Sequence, residues 1–144
     1  MRKYIFTLFI LFTLSISACR SEEITHAAPI LEDDWYVRMI QTGGFAGVNR
    51  AIEVLSDGSY TVYQQAGGEG IKGNLSETEL AQLEEIIKNL EVSIPAIKGG
   101  CADCFFYDIE IQSGGRKMVF QLEDVSLPDS GAGELVTFLT GLMQ

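Results

Sequence analysis

The sequence predicts a single α+β domain, in which a mostly antiparallel β-sheet is covered on one face by two helices. Three observations predict this class. Two pairs of strand-like segments are each separated by a turn signal, one amphipathic segment opens with a helix-capping pattern, and a second apolar stripe of helical spacing lies near the C-terminus. The predicted order of elements is β-β-β-α-β-β-α.

The first three predicted strands precede the first helix. Residues 35–40 (WYVRMI) form an alternating run, which indicates a strand with one buried face. Residues 50–55 and 59–63 are rich in β-forming side chains and flank Asp57 and Gly58, a dipeptide that favours a hairpin turn. These segments therefore predict neighbouring antiparallel strands.

The first predicted helix follows a glycine-rich stretch, residues 66–73 (AGGEGIKG), which predicts a loop. Ser76 stands three residues before Glu79, which is the spacing of a reciprocal capping box. The apolar residues that follow share one helical face and predict its buried stripe: Leu80, Leu83, Ile87 and Leu90. The sequence therefore predicts both the start of this helix and the face that it buries.

The second half of the chain predicts another hairpin and a last helix. Residues 105–112 and 117–123 are strand-like and are separated by residues 113–115 (SGG), which predict a turn. Residues 128–130 (PDS) predict the start of the last helix. The buried stripe of that helix is predicted to be Leu135, Phe138, Leu139 and Leu142.

The N-terminus has the composition of a secretory signal. Two basic residues precede an apolar run over residues 4–16, which is shorter than the roughly 20 residues that span a bilayer. Residues 16–19 (ISAC) resemble the bacterial lipobox, in which the cysteine becomes the lipidated first residue of the mature chain. The alternative is an ordinary cleaved signal followed by a chance cysteine.

The lipobox resemblance implies an organisation in three parts. These are a lipoprotein signal peptide over residues 1–18, the lipidated Cys19 with a flexible tether over residues 19–33, and the α+β domain over residues 34–144. We therefore expect the protein in the bacterial cell envelope, held at a membrane by its N-terminal lipid and facing outside the cytoplasm.

The charge balance excludes one class of partner. The chain has 10 Lys and Arg against 20 Asp and Glu, and two of the basic residues lie in the predicted signal. An acidic surface without a basic patch excludes nucleic acid as a binding partner and argues against anionic lipid. We expect a monomer.

Cys101 and Cys104 predict a small structural disulfide, since they form an even pair in a chain expected in an oxidising compartment. A thioredoxin-like site is disfavoured because a strand, and not a helix, follows the pair. A structural zinc site needs four ligands, and the two thiols with His26 fall short of that number.

The sequence contains no recognisable catalytic set. Its single histidine, His26, lies in the predicted tether, so neither a Ser-His-Asp nor a Cys-His arrangement has a base. The glycine-rich segments miss the spacings of the dinucleotide fingerprint and of the phosphate-binding loop. We therefore predict a protein that is not an enzyme and that binds no metal and no cofactor.

The segment that follows the first strand, residues 43–47 (GGFAG), surrounds one large apolar side chain with glycine and alanine. We call it the glycine loop. Glycine permits positive φ and close backbone approach, which leaves two alternatives open. In the first, the loop is a β-bulge that folds Phe45 back onto the core. In the second, it is a recognition loop in which Phe45 is an anchor for a partner.

Residues 42–47 (TGGFAG), directly after a strand that bears Arg38, resemble the signature of the emfourin family. These are small proteinaceous inhibitors of thermolysin-like zinc metalloproteases of the protealysin type. The strand pair, the capped helix, the Phe-rich strand and the last helix agree in outline over residues 35–143. The lipobox, the tether and the cysteine pair are not part of the family pattern.

The resemblance implies an inhibitor of a secreted or periplasmic metalloprotease, whose cleft accepts a bulky apolar side chain beside the catalytic zinc. The residues expected to contact the protease are Gly43, Gly44, Phe45, Ala46, Gly47, Val48 and Asn49, with Arg50 as a flanking contact. The sequence offers no evident zinc ligand, so the expected mode is occlusion of the cleft. The alternative function is a non-catalytic envelope lipoprotein that binds or assembles with another partner.

Overall fold

Six antiparallel strands form the central sheet of the computed structural model, which describes residues 25–65, 67–94 and 101–144. Numbered along the chain, they are β2 (Trp35–Gly43), β3 (Val48–Leu55), β4 (Ser59–Tyr63), β5 (Gly70–Asn74), β7 (Phe105–Ser113) and β8 (Arg116–Glu123). Their order across the sheet is β5-β4-β3-β2-β7-β8. Two short strands, β1 (Thr25–Ala27) and β6 (Glu91–Ser93), pair with each other in a separate sheet.

Two helices, α1 (Glu77–Lys88) and α2 (Gly133–Leu142), cover one face of the six-stranded sheet, and a short 3-10 helix (Leu127–Asp129) precedes α2. The sheet contributes alternate residues of its strands to the core, as the strand period requires. The fully buried ones include Val37, Met39, Ile52, Val54, Ile109 and Ile111. Each such side chain contributes roughly 1.5–3 kcal/mol by leaving water. The predicted α+β class with two helices on one face is confirmed.

The predicted capping box forms at the start of α1. The Ser76 hydroxyl accepts a hydrogen bond from the Glu79 amide at 3.3 Å, and the Glu79 carboxylate accepts one from the Ser76 amide at 2.8 Å. The Glu79 carboxylate also accepts from the Ser76 hydroxyl at 2.7 Å, and this bond, followed by that from the Ser76 amide, lowers the pKa of Glu79. The carboxylate half of the cap is therefore retained at neutral pH and is lost as the pH falls through that pKa. Leu83 and Ile87 are buried as predicted.

The glycine-rich stretch predicted as a loop contains most of the edge strand β5, so that prediction is wrong for residues 70–73. The physical reason is that side chains of β4 lie over the glycines of β5. A Cβ at Gly73 would overlap the ring of Tyr60, and one at Gly70 would overlap Thr61. The neighbouring strand therefore supplies the side chains that cover β5, and the glycines make room for them.

The tether predicted over residues 19–33 is wrong for residues 25–27, which form β1 against β6. Immediately after the strand, the Ala28 amide donates to the Leu90 carbonyl at 3.3 Å. A three-residue strand is too short for a periodic pattern, and backbone groups far along the chain determine its pairing. The predicted signal peptide and Cys19 lie outside the described residues.

The last helix begins at Gly133, later than residues 128–130 predict. Those residues lie in and just after the 3-10 helix, and Gly131 follows with φ +77°. A Cβ at Gly131 would overlap the Glu91 carbonyl, so glycine permits the chain to pass close to β6 before α2 starts. The predicted stripe is confirmed: Leu135 and Leu139 are buried, and Phe138 and Leu142 pack against the core.

Replacing Ser76 tests how much the N-terminal cap of α1 contributes to stability. Ser76→Ala removes the hydroxyl that accepts from the Glu79 amide, so the free energy of unfolding is expected to fall by about 1 kcal/mol in chemical denaturation. Thr78→Ala is the matched control, because Thr78 is an exposed residue of the same helical turn. Equal losses in the two variants would contradict a specific role for the cap.

Candidate functional site

The glycine loop closes the β2–β3 hairpin as a tight turn. The two strands stay paired up to Gly43 opposite Val48, and the Gly47 amide donates to the Gly44 carbonyl at 3.0 Å. The φ angles are +102° at Gly43, +67° at Gly44 and +63° at Gly47, all in the region that favours glycine. The three glycines therefore set the shape of a rigid turn whose tip is Phe45 and Ala46.

Phe45 points into solvent, with 95% of its surface exposed. Among the large hydrophobic residues that the structure describes, the next most exposed is Ile30 at 70%. The bulge alternative, in which Phe45 folds onto the core, is therefore wrong. Ala46, Gly47 and Asn49 are also exposed and Val48 is half-buried.

The glycine loop rests against a second turn, residues 101–104, which we call the disulfide turn. The sulfurs of Cys101 and Cys104 lie at disulfide distance, as predicted. The Gly44 amide donates to the Cys104 carbonyl at 3.0 Å, and a Cβ at Gly43 would overlap that same carbonyl. The two turns are therefore joined backbone to backbone at one end of the sheet.

The ring of Phe105 packs between this junction and the core. It packs against the core and lies so close to Gly44 that a Cβ there would contact the ring at 2.7 Å. The Gly44 position thus cannot hold a side chain without displacing Phe105. Sequence reasoning missed this contact, because it depends on the pairing of β2 with β7.

Asp124 fixes the start of β7. Its carboxylate accepts hydrogen bonds from the Phe105 amide at 2.9 Å and from the Tyr107 hydroxyl at 2.8 Å. Burial, reinforced by the bond to Asp124, raises the pKa of Tyr107 to about 12. The hydroxyl therefore stays protonated and donates to Asp124 over the whole range near neutral pH.

Arg50 is half-buried and bonds within the chain, so it has a structural role here, and its flanking contact stays a prediction. Its Nε donates to the buried Gln41 side chain at 2.7 Å, and its Nη1 donates to the Met143 carbonyl at 3.1 Å. Gln64 donates to the same carbonyl at 3.2 Å. Arg50 thus connects the base of the hairpin to the end of α2 through two of its five donors.

The open face of the sheet carries a separate polar row that includes Arg38. The strand register places Arg38 between Glu53 and Glu110, and the Lys117 ammonium lies 2.8 Å from the Glu110 carboxylate. The Lys117 ammonium and the Tyr36 hydroxyl lower the pKa of Glu110. Each charge in this row faces an opposite one, so the row stabilises neighbouring strands and leaves the hairpin tip as the better candidate site.

Residues 25–65, 67–94 and 101–144 contain neither a metal-binding cluster nor a membrane-spanning helix. In these ranges, no three His, Cys, Asp or Glu side chains are grouped so that they could hold a metal ion. No helix in the same ranges has the length and apolar composition needed to cross a bilayer.

No protein-family model and no curated protein matches this chain. The candidate site is therefore assigned from its own geometry. A rigid glycine turn presents one fully exposed aromatic side chain, and the disulfide turn supports it from behind. The chemistry open to such a surface is recognition of an apolar pocket in a partner.

Two glycine substitutions distinguish the cost of a steric overlap from the cost of a left-handed backbone conformation. Gly47→Ala meets no atom within 4 Å and is expected to cost only the left-handed backbone penalty, about 1–2 kcal/mol. Gly43→Ala adds an overlap with the Cys104 carbonyl and is expected to reduce the free energy of unfolding by more. If urea denaturation showed equal losses of unfolding free energy in the two variants, the close contact between the glycine loop and the disulfide turn would be contradicted.

Alkaline denaturation tests the Tyr107–Asp124 bond. The pKa of Tyr107 is about 12 in the folded protein against 10.0 ordinarily, so this contribution is complete below pH 10 and is lost as the pH rises toward 12. Tyr107→Phe cannot titrate there. We expect its stability, measured by urea midpoints between pH 9 and 12, to fall less steeply than that of the unaltered chain. Parallel curves would contradict this assignment.

Proposed function

We propose that this protein is a lipid-anchored proteinaceous inhibitor of thermolysin-like metalloproteases of the protealysin type, and that its glycine loop occludes the protease cleft. One observation carries the proposal: Phe45 is 95% exposed at the tip of a turn that backbone hydrogen bonds close and join to the disulfide turn. The resemblance of residues 42–47 (TGGFAG) to the emfourin signature supports the choice of target class.

Phe45 supplies the affinity in this proposal. Transfer of one phenylalanine side chain from water into an apolar pocket is worth roughly 1.5–3 kcal/mol, and aromatic anchors in fitted pockets dominate binding energy at interfaces. Its neighbours in the turn, Gly44, Ala46 and Gly47, have little or no side chain, so a partner backbone can approach the loop closely. The geometry therefore suits insertion into a narrow cleft.

Rigidity limits the entropic cost of binding. The turn is closed by the bond between the Gly47 amide and the Gly44 carbonyl, and the bond from the Gly44 amide to Cys104 fixes its base. A loop already held in its bound shape loses little conformational freedom on association. The same bonds oppose cleavage, because they keep the chain reversed at Phe45 and prevent an extended, substrate-like conformation.

The anchor would keep the inhibitor near its site of action. Cys19 stands six residues before Thr25, where β1 begins. A fully extended connection of that length reaches at most about 20 Å. In this proposal the domain therefore works close to a membrane surface, on a secreted or periplasmic protease that reaches it.

Inhibition of thermolysin and of a protealysin-like enzyme by residues 20–144 tests the proposal. All described elements lie in this part of the chain, so it contains the whole core. We expect saturable inhibition in a peptide-hydrolysis assay, and Phe45→Ala is expected to raise the inhibition constant by roughly thirtyfold, equivalent to about 2 kcal/mol.

Val119→Ala is the matched control, because Val119 is an exposed apolar residue (58%) on β8, at mid-strand and away from the tip. It is expected to inhibit like the unaltered chain. Absence of inhibition by a folded, unaltered chain would sink the proposal. It would instead favour the second function, a non-catalytic envelope module that uses the same loop on a different partner.

A further inference from the structure

The cysteine pair closes a segment that is too short to hold the whole fold together. Cys101 and Cys104 are three positions apart in the sequence, and their sulfurs lie at disulfide distance. A disulfide stabilises a protein mainly by restricting the unfolded chain, and this effect grows with the length of the closed segment. The hydrophobic cluster beneath the sheet includes neither cysteine. We therefore expect the fold to persist when this cross-link is opened.

The two sulfurs differ in their access to solvent. Cys101 is exposed, as are Ala102 and Asp103 beside it, whereas Cys104 keeps only 7% of its surface accessible. Thiol–disulfide exchange begins when an external thiolate attacks one sulfur of the disulfide, so access decides which sulfur reacts. Cys101 therefore carries the sulfur that is open to attack, and the sulfur of Cys104 is the leaving group.

Cys104 is also the residue to which the glycine loop is bonded. Its carbonyl accepts the Gly44 amide at 3.0 Å, directly before β7 starts at Phe105. On the other side of the disulfide turn, β6 is bonded to the chain before α2, because the Ser93 amide donates to the Ser130 carbonyl at 3.0 Å. The disulfide is thus a covalent restraint on the connection between β6 and the acceptor of the Gly44 amide.

We propose that Cys101 and Cys104 form a site of thiol–disulfide exchange with a protein dithiol, and that reduction of this site releases the glycine loop. The proposal rests on the proposed inhibitory function and names a regulation of it. One thiolate of the external dithiol attacks the Cys101 sulfur, and the Cys104 sulfur leaves with the bonding electrons and takes up a proton. The second external thiolate then displaces the Cys101 sulfur, which is protonated in turn. This chain gains two thiols, and the external dithiol becomes a disulfide.

The cysteine pair is the substrate of this exchange and not its catalyst. In thioredoxin-like enzymes the reactive thiol lies at the start of a helix, whose positive end stabilises the thiolate. Here the pair leads directly into strand β7. The reductant must therefore come from a partner, and the chemistry identifies that partner as a reduced dithiol oxidoreductase on the same side of the membrane.

Reduction is expected to weaken the inhibitor without unfolding it. The opened segment gains conformational freedom, so the Cys104 carbonyl no longer has a fixed position opposite the Gly44 amide. The bond from the Gly47 amide to the Gly44 carbonyl remains within the turn, but the turn is no longer joined to the start of β7. The loop must then be ordered when Phe45 enters a cleft, and this ordering reduces affinity.

The experiment compares oxidised and reduced forms of residues 20–144. The chain is reduced with dithiothreitol under native conditions, and the reductant is removed before the protease is added, because a dithiol would bind the catalytic zinc. We expect the Gly44 amide to exchange hydrogen at least about tenfold faster in the reduced form, and the inhibition constant for thermolysin to rise about tenfold. The urea midpoint is expected to change little, and reoxidation is expected to restore the first two values.

Two controls accompany this comparison. The double variant Cys101→Ser with Cys104→Ser cannot form the disulfide, so it is expected to match the reduced chain both before and after treatment. The Gly58 amide is the matched internal reference, because it donates to the Leu55 carbonyl at 2.9 Å in a turn at the other end of β3. Its exchange rate is expected to be the same in both redox forms.

Three results would overturn the proposal. They are a disulfide that dithiothreitol does not reduce in the folded chain, an unchanged exchange rate at Gly44 after reduction, and an equal acceleration at Gly44 and Gly58 with a lower urea midpoint. The last would make the cross-link a support of the whole fold. Release of Gly44 with unchanged inhibition would overturn the regulation and leave the proposed function standing. Failure of the oxidised chain to inhibit would overturn the proposed function, and the exchange rate at Gly44 would still decide whether the disulfide holds the loop.

Discussion

The pairing of β2 with β7 is the constraint on which the rest of this fold depends. The ladder runs from Trp35 opposite Ser113 to Gly43 opposite Phe105 without interruption. It joins the N-terminal strands β2 to β5 to the C-terminal hairpin of β7 and β8. Strands β2 and β7 are therefore both interior strands of one sheet. One face of these strands is fully buried beneath the two helices, so a shift of register by one residue would turn that face to solvent.

The candidate site follows from the end of that ladder. Because Gly43 faces Phe105, the turn after β2 and the turn before β7 must share one small volume. The glycines permit the backbones to approach, and the Cys104 carbonyl accepts the Gly44 amide. Arg50 and Asp124 hold the base of the site from either side. A rigid platform therefore supports Phe45, which makes no contribution to the core.

Elements that depend on neighbours in sequence could be predicted, and elements that depend on distant backbone could not. The Ser76–Glu79 cap and the Asp57-Gly58 turn are local, and both form as the sequence indicates. Strand β5 was missed because its glycines carry no pattern and receive their cover from Tyr60 and Thr61 on the adjacent strand. Strand β1 was missed because only its pairing with β6 defines it.

The sequence by itself determined the class of fold, the amphipathic faces of both helices and the need for glycine around Phe45, since periodicity and allowed φ angles are properties of short segments. Tertiary structure alone decided that Phe45 points outward and that Arg50 bonds to the buried Gln41 and to the Met143 carbonyl. These outcomes depend on side chains and carbonyls that lie far apart in the chain. They meet only when burial of the core fixes the register of β2 against β7.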